Sequence, residues 1–338
     1  MAKCALITGS AGFIGYHLSK ALLEHGYKVV GLDGFSDYYD VALKRRRHEM
    51  LSQSEGFVPV EGLLEADGLM MELFVKHTPD VVVHLAGQAG VRWSIENPRA
   101  YVDANLVGSF NILEAARAHR PAHLLMASTS SAYGANTQMP YRETDKADAQ
   151  VSFYAATKKA NESMAHSYAH LYDIPTTMFR FFTVYGPWGR PDMAPYLFTS
   201  AILEGRPIKV FNHGNMQRDF TYVTDLVEGI RLLIDAAPER PETAEAMEPG
   251  DSLSPVAPWR IVNIGNGAPV KLMEFIEAIE AATGIEADKN FMDMQPGDVP
   301  ATWADTTLLK RLTGYEPSMS VEDGMKEFVA WYRDYYGA

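Results

Sequence analysis

The chain has 338 residues, of which 47% are hydrophobic and 22% charged, a composition typical of a globular protein with a large buried core. Its formal net charge of -13 argues against binding to nucleic acid or to an anionic membrane surface, because both are negatively charged. Cys4 is the only cysteine, which excludes an internal disulfide and a thiolate metal site and favours a reducing compartment.

Targeting and metal motifs are missing from the sequence. The histidines show no HExxH motif or other paired metal-ligand spacing, so no metal is expected. No apolar run approaches the roughly 18 residues of a membrane-spanning helix. The first apolar run begins at Lys3, without the pattern of a secretion signal before it. We therefore expect a cytoplasmic protein.

Short apolar runs alternate with amphipathic stretches through the first half of the chain. The predicted strands are Cys4–Thr8, Lys28–Asp33, Val81–Ala86, His123–Ser128 and Thr176–Phe182, and the predicted helices are Phe13–His25, Met70–His77, Tyr101–His119 and Phe153–Tyr172. This alternation predicts an α/β fold, a Rossmann-type doubly wound parallel sheet with ligands beyond the carboxyl ends of its strands.

The second half is less regular. It contains a predicted strand at Arg260–Gly265 and predicted helices at Leu272–Thr283 and Val321–Tyr336. The segment Pro238–Pro258 lacks periodicity and is rich in Pro, Glu, Ala and Ser, which predicts a mobile surface loop.

A glycine-rich turn follows the first predicted strand. Gly9, Gly12 and Gly15 flank Phe13 and Ile14, and the run opens the first predicted helix. Glycine permits a tight turn and lets backbone N–H groups approach a pyrophosphate at the helix N-terminus. The GxxGxxG spacing differs from GxGxxG, so its place between a strand and a helix carries the prediction of a dinucleotide site.

Three neighbouring features bear on the cofactor. Asp33 ends the second strand, where a carboxylate accepts hydrogen bonds from a ribose and repels a 2′-phosphate; this favours NAD, although a simple turn aspartate is the alternative. The small-residue segment around Leu85, Ala86 and Gly87 suits close approach of a cofactor and equally suits a crowded strand end. The basic run 44–47 is interpreted as a solvated helix face in preference to a phosphate site.

Tyr154 and Lys158 form the candidate catalytic pair. Four residues apart on a helix, they share one face. An ammonium beside a phenol should lower the tyrosine pKa from about 10 toward neutrality, so that the phenol can take a proton from a sugar hydroxyl. The hydroxyl cluster at 128–131, including Thr129, ends another strand and could bridge that hydroxyl to Tyr154.

With these features together, the chain resembles the extended short-chain dehydrogenase/reductase family from Lys3 to beyond Asp305. In that family Thr129 matches the Ser/Thr catalytic position, Tyr154 the acid/base and Lys158 its partner. Longer motifs look like the UDP-glucuronate 4-epimerase branch: Asp37-Tyr-Tyr-Asp40, Gln88-Ala-Gly-Val-Arg92, Arg180-Phe-Phe-Thr-Val-Tyr-Gly-Pro187 with Gly189-Arg-Pro-Asp192, Gln217-Arg-Asp-Phe-Thr-Tyr222 and Gln295-Pro-Gly-Asp-Val-Pro300.

The resemblance implies a bound NAD that is reduced and reoxidised while UDP-glucuronate passes through a 4-keto sugar to UDP-galacturonate. The implied cofactor-binding residues are Gly9, Gly12, Phe13, Ile14, Gly15, Asp33, Leu85, Ala86, Gly87, Tyr154 and Lys158. The implied substrate-binding residues are Arg92, Ser130, Ser131, Thr183, Arg190, Phe211, Arg218 and Asp298.

Arg190 is the residue most tied to a uronate. A 4-keto uronate is a β-keto acid that loses carbon dioxide easily, so its carboxylate must be held out of alignment, and a guanidinium can grip it in two places. Arg190 could equally face solvent. Phe211 could stack on uracil or belong to the core, and Arg92 could face phosphate or nicotinamide. Arg218 is expected at the diphosphate and Asp298 at a ribose.

Several alternatives remain open. A neutral UDP-hexose 4-epimerase, a UDP-glucuronate decarboxylase and a net-redox dehydrogenase share this fold, and a non-catalytic NAD or nucleotide-sugar binding protein is a different class. Related decarboxylases and dehydratases carry acidic residues where this chain has Ser130, Ser131 and Ala132, which favours epimerisation. One departure concerns the adenine end, where Gly62-Leu63-Leu64 stands in place of an expected acidic residue.

The resemblance also implies two domains and a homodimer. Residues 1–182 form the NAD-binding domain, with later returns near 216–237 and 259–265, and its sheet should have seven strands. Residues 183–338 form mainly a smaller α/β nucleotide-sugar-binding lobe. The dimer would form through Tyr101–His119 and Phe153–Tyr172, whose small residues equally suit packing on the sheet.

Overall fold

The computed structural model describes residues 2–243, 247–295 and 299–338. Its strands are β1 (Cys4–Thr8), β2 (Lys28–Asp33), β3 (Phe57–Glu61), β4 (Val81–His84), β5 (His123–Thr129), β6 (Thr176–Phe181), β7 (Thr183–Tyr185), β8 (Ile208–Phe211), β9 (Gln217–Tyr222), β10 (Trp259–Ile264), β11 (Pro269–Lys271), β12 (Lys289–Met292) and β13 (Ala301–Thr302).

The helices are α1 (Phe13–Glu24), α2 (Val41–Ser52), α3 (Leu69–His77), α4 (Trp93–Glu96), α5 (Pro98–Tyr101), α6 (Gly108–His119), α7 (Phe153–Tyr172), α8 (Ala194–Leu203), α9 (Val223–Ile234), α10 (Leu272–Thr283), α11 (Thr307–Thr313) and α12 (Val321–Tyr336). A π-helical segment, Val102–Val107, joins α5 to α6. Within the described residues, no helix is both long and apolar enough to cross a bilayer.

Seven parallel strands form the main sheet in the order β10-β6-β5-β4-β1-β2-β3. Strands β1, β4 and β5 are buried along their whole length, because helices cover both faces of the sheet. One core packs α1, α9 and α11 on the sheet, and the other packs α3, α6 and α7. The strand order reverses between β1 and β4, and this is the crevice where such sheets bind ligands. The predicted fold class is confirmed.

Segments of the second half form a smaller α/β unit. Strand β9 pairs with β7, β11 and β13, while β8 pairs with β12. Its core contains apolar side chains from α8, α10 and α12, including the stacked rings of Phe220 and Phe275, whose centroids are 4.0 Å apart. Strand β10 lies at the edge of the main sheet and α9 packs on that sheet, whereas β9 belongs to the smaller one.

Two sequence interpretations are wrong in detail. The predicted helix Tyr101–His119 is interrupted by the π-helical segment, in which the buried Asn105 bonds to a neighbouring loop instead of facing solvent. The basic run in α2 is not a solvated face throughout. Lys44 and Arg47 are buried, whereas Arg45 and Arg46 are exposed and pair with Glu61 and Glu49.

Candidate functional site

A cavity of about 710 Å³ lies beyond the carboxyl ends of the central strands. It brings together every predicted cofactor and catalytic residue and one predicted substrate residue. These are Gly9, Gly12, Phe13, Ile14, Gly15, Asp33, Leu85, Ala86, Gly87, Thr129, Tyr154, Lys158 and Arg190. Residues far apart in the sequence therefore line one site, as expected for the switch point of a doubly wound sheet.

The glycine turn packs against its own backbone and against the backbone of the segment after β4, too closely for a side chain. Gly9 has φ +74°, and a Cβ there would lie 2.9 Å from the amide nitrogen of Ala86. A Cβ on Gly15 would lie 2.0 Å from the carbonyl oxygen of Gly9. Helix α1 begins after this turn with no side-chain cap on its first amide groups. Free N–H groups at a helix N-terminus beside a cavity fit a dinucleotide diphosphate.

Asp33 lies at the end of β2 and fixes the next part of the cavity wall. One carboxylate oxygen accepts from the backbone N–H of Ala11 at 3.0 Å and the other from Phe35 at 2.8 Å. Asp33 therefore does stabilise the turn after β2. Each carboxylate oxygen also keeps a second lone pair that can accept from a ribose hydroxyl. Nearby, Glu65 lines the cavity one residue beyond Leu64, so an acidic side chain lies next to the segment where the sequence has Gly62-Leu63-Leu64.

Tyr154 and Lys158 project from α7 toward the ends of β4 and β5. The expected lowering of the Tyr154 pKa by Lys158 is wrong for this structure: burial raises that pKa, and the groups that lower it are the hydrogen-bonded Thr129 and the charge of Arg190. Burial also lowers the pKa of Lys158 to about 8, although the charge of Glu162 opposes the shift. The Lys158 ammonium lies about 4.0 Å from where a Gly87 side chain would begin.

A buried ion pair supports this face of α7. Glu162 accepts from Arg180 Nε at 2.9 Å and Nη2 at 2.8 Å, and from Ser128 Oγ at 2.7 Å. Both side chains of the pair are 1% exposed. Burial alone would raise the pKa of Glu162, yet the hydrogen bonds and charges of Arg180 and Lys159 lower it to about 2. The carboxylate therefore stays ionised one turn beyond Lys158.

Asn105 was missed in the sequence. Its Oδ1 accepts from the backbone N–H of Gln88 at 2.7 Å, and its Nδ2 donates to Gln88 O and to Thr157 Oγ1, both at 3.0 Å. A Cβ on Gly87 would lie 2.7 Å from Asn105 Oδ1. Asn105 thus ties the loop after β4 to α7. The one sequence feature that points to it is an amide on the apolar face of a predicted helix.

Arg190 lies in the loop after β7 and faces the cavity, so the alternative in which it faces solvent is wrong. Its Nε and Nη2 donate to the carboxylate of Asp192 at 3.0 and 2.5 Å, and Tyr38 donates to the same carboxylate at 3.0 Å. Burial raises the pKa of Tyr38 to about 12, so its hydroxyl remains a donor. Tyr38 and Asp192 belong to motifs quoted from the sequence, but neither was named there as a site residue.

The other predicted substrate residues that the structure describes lie outside the large cavity. Ser130 and Ser131 line a separate cavity of about 60 Å³. The guanidinium carbon of Arg92 lies 5.4 Å from the ring centroid of Phe211. Arg218 donates to the backbone oxygens of Gln217, Val299 and Pro300. Thr183 is half-buried in β7, and Asp298 lies outside the described residues.

Comparison with known proteins gives a consistent result. The model of the NAD dependent epimerase/dehydratase family matches residues 5–246. A Rhizobium meliloti (strain 1021) protein named as a probable UDP-glucuronate 4-epimerase is 55% identical over 98% of this chain and 97% of its own length.

Solved structures agree in fold. The UDP-glucuronic acid 4-epimerase of Bacillus cereus, in complex with UDP-glucuronic acid and NAD, has a TM-score of 0.85 and 32% identity, covering 98% of this chain and 100% of that one. The UDP-glucose 4-epimerase of Thermotoga maritima, with UDP-glucose, has a TM-score of 0.84 and 30% identity, covering 98% of this chain and 99% of that one.

Proposed function

Because the chain belongs to the NAD dependent epimerase/dehydratase family, we propose that it interconverts UDP-glucuronate and UDP-galacturonate with NAD as its bound cofactor. The observation that carries the proposal is the shared cavity, in which the glycine turn, the Thr129–Tyr154–Lys158 group and Arg190 face one space. The first two suit oxidation and reduction at an alcohol carbon. The third is a cation placed for a charged sugar.

The residues fit NAD at each of its parts. Uncapped amide groups of α1 suit the diphosphate, and the Asp33 carboxylate suits a ribose hydroxyl. Lys158, close to Gly87, is placed for the hydroxyls of the second ribose. Bound NAD would supply the hydride acceptor and donor for the sugar C4 and, in its oxidised form, a positive charge.

Tyr154 exchanges the proton of the C4 hydroxyl in this proposal. The Thr129 hydroxyl and the charge of Arg190 both favour its ionised form, and they oppose the effect of burial. Thr129 is fixed for this task because its Oγ1 also accepts from the backbone N–H of Ser131 at 3.2 Å. A hydroxyl held at a strand end can therefore contact both the substrate and Tyr154.

Arg190 binds the sugar carboxylate. The Asp192 carboxylate accepts from its Nε and Nη2, and Tyr38 donates to the same carboxylate. The guanidinium is thereby oriented before substrate binds. A fixed guanidinium can hold the carboxylate of the 4-keto sugar out of the alignment that leads to loss of carbon dioxide. The Ser130, Ser131 and Thr183 hydroxyls are further candidates for this carboxylate.

The nucleotide end of the substrate is assigned to the second unit together with Arg92, in the loop after β4. Arg92 and Phe211 form a cation–aromatic pair at one edge, which suits a uracil ring and a phosphate. Arg218 is held by backbone oxygens and offers charge for the diphosphate. Asp298 remains a candidate for a ribose hydroxyl. The division at residues 182 and 183 is proposed as the boundary between cofactor and substrate units.

Product analysis tests the proposal. Purified protein, with no added NAD, is incubated with UDP-glucuronate, and the sugars are resolved by NMR. A mixture of UDP-glucuronate and UDP-galacturonate supports it. A UDP-pentose with carbon dioxide would indicate a decarboxylase, and turnover of UDP-glucose alone would indicate a neutral epimerase. Stoichiometric use of added NAD would indicate a dehydrogenase. Binding of UDP-glucuronate or NAD without turnover would indicate a non-catalytic protein.

We also propose a homodimer in the cytoplasm. Val107, Phe110 and Phe153, on the segment before α6, on α6 itself and on α7, are large apolar side chains that are 39%, 47% and 39% exposed, and a second copy would cover them. The single cysteine, Cys4, is buried and unpaired, as suits a reducing compartment. A wild-type protein that sediments as a monomer would contradict the dimer.

A further inference from the structure

Arg47 connects the two sides of the large cavity without lining it. It is fully buried in α2. Its Nη1 donates to the carbonyl oxygen of Ala11 at 2.9 Å, inside the glycine turn. Its Nη2 donates to the carbonyl oxygens of Trp188 at 2.6 Å and Gly189 at 3.4 Å, immediately before Arg190. One guanidinium therefore joins the turn at the cofactor to the loop at the sugar.

The charge of Arg47 is unusual for a purely structural link. Among the described residues it forms no ion pair; its partners are carbonyl oxygens and the Tyr39 hydroxyl at 3.0 Å. Its Nε is buried without a partner. Burying an unpaired cation is costly, so packing alone does not explain it. The presence of an arginine here is explained by its planar guanidinium, which can donate hydrogen bonds in two directions at once.

The loop that Arg47 holds is strained. Trp188 has φ +62°, in the left-handed region that a non-glycine residue rarely adopts. Such a conformation persists only when its surroundings hold it. The Trp188 ring packs on Trp331 and Tyr335, with centroids 5.3 and 5.0 Å away. His17, whose pKa burial lowers to about 4, donates as a neutral ring to Pro187 O at 2.9 Å.

We infer that Arg47 is a positioning residue: it sets the loop that carries Arg190 in register with the glycine turn. Cofactor and sugar carboxylate then meet groups that are fixed relative to each other. This inference rests on the proposed function, since it assigns Arg190 to the carboxylate. It predicts an effect on charged sugars that a general loss of packing would not produce.

The test compares two ligands on NAD-loaded protein by calorimetry. Wild-type protein should bind UDP-glucuronate more tightly than UDP-glucose. Arg47→Met should reduce that preference about tenfold, because a small displacement of a guanidinium weakens its contact with a carboxylate, while UDP-glucose affinity changes little. Arg46→Met is the matched control: Arg46 directly precedes Arg47 in α2, is exposed and forms an ion pair with Glu49, so both affinities should stay unchanged.

A double-mutant cycle separates positioning from packing. In an Arg190→Ala background, Arg47→Met should cause no further loss of preference, because it acts through Arg190. If Arg47→Met does not fold, Arg47→Lys is used instead. Lysine keeps the charge but cannot donate to both Ala11 and Trp188, so it should lower the preference for UDP-glucuronate in the same way. Equal losses for both ligands, an unchanged preference, an additive double mutant, or a wild type with no preference would overturn the inference. Product analysis, run separately, reports on the epimerase proposal itself.

Discussion

Gly15→Ala tests how closely the cofactor turn is packed. The new Cβ would lie 2.0 Å from the carbonyl oxygen of Gly9, 2.7 Å from its carbonyl carbon and 3.0 Å from the Cα of Ser10. All three are backbone atoms, so no side chain can move aside. Ordinary contact begins near 3.4 Å, and the turn must therefore shift by more than 1 Å at the point where α1 faces the cavity.

The magnitude follows from two opposing terms. Overpacking of this kind costs about 1–3 kcal/mol, and a clash with backbone belongs at the upper end. Alanine gains about 1 kcal/mol over glycine in a helix. We expect Gly15→Ala to lower the free energy of unfolding by about 2 kcal/mol and to lose most of its NAD, because displaced amides no longer meet the diphosphate.

Gly229→Ala is the matched control. Gly229 also lies in a helix, α9, but a Cβ there would meet Ile264 at 3.6 Å and Leu309 at 3.7 Å, which is ordinary contact. It should stabilise the protein by up to about 1 kcal/mol through helix propensity alone. Urea unfolding of NAD-free protein and the NAD released by denaturing purified protein measure both effects. A Gly15→Ala protein that unfolds like Gly229→Ala and keeps its NAD would refute the reasoning.

Three further predictions concern α7. Tyr154→Phe should lower turnover at least ~10³-fold with NAD still bound, because the proton acceptor is lost; activity within tenfold of wild type would exclude that role. Glu162→Gln should cost about 3–5 kcal/mol in urea unfolding, since Arg180 is left buried without its carboxylate, whereas the double variant Glu162→Gln/Arg180→Met should cost less than either single one; additive losses would contradict this. For NAD-free protein, the Lys158 pKa of about 8 lies below its ordinary 10.5, so the unfolded chain binds more protons between these values. Wild-type stability should therefore rise with pH across that window relative to Lys158→Met, by up to about 3 kcal/mol, and parallel curves would count against the buried ammonium.

Much of the first half could be predicted because its strands are continuously apolar and lie between amphipathic helices. The bounds of β1, β2 and α7 match the sequence pattern. Strand β3 was not predicted because its exposed residues alternate with half-buried ones at a sheet edge. Most strands of the second unit are two to four residues long, too short for a periodic pattern.

The site was predictable where a backbone geometry demands a residue type. The tight turn requires glycine, and the helical repeat places Tyr154 and Lys158 on one face, so both features could be predicted. The environment of those groups was not predictable. Local spacing suggested that Lys158 controls the Tyr154 pKa, whereas the fold places Thr129 and Arg190 around the phenol. Arg47 was misjudged for the same reason, because its partners lie 36 and 141 residues away.

The most direct test of the account follows the hydrogen at C4. UDP-glucuronate carrying deuterium at C4 is incubated with purified protein, without added NAD, and the UDP-galacturonate formed is examined by NMR and mass spectrometry. The account predicts that the product keeps the deuterium at C4, because the hydrogen leaves as hydride and returns to the same carbon. Loss of the label to solvent, or a product that is a pentose, would contradict it.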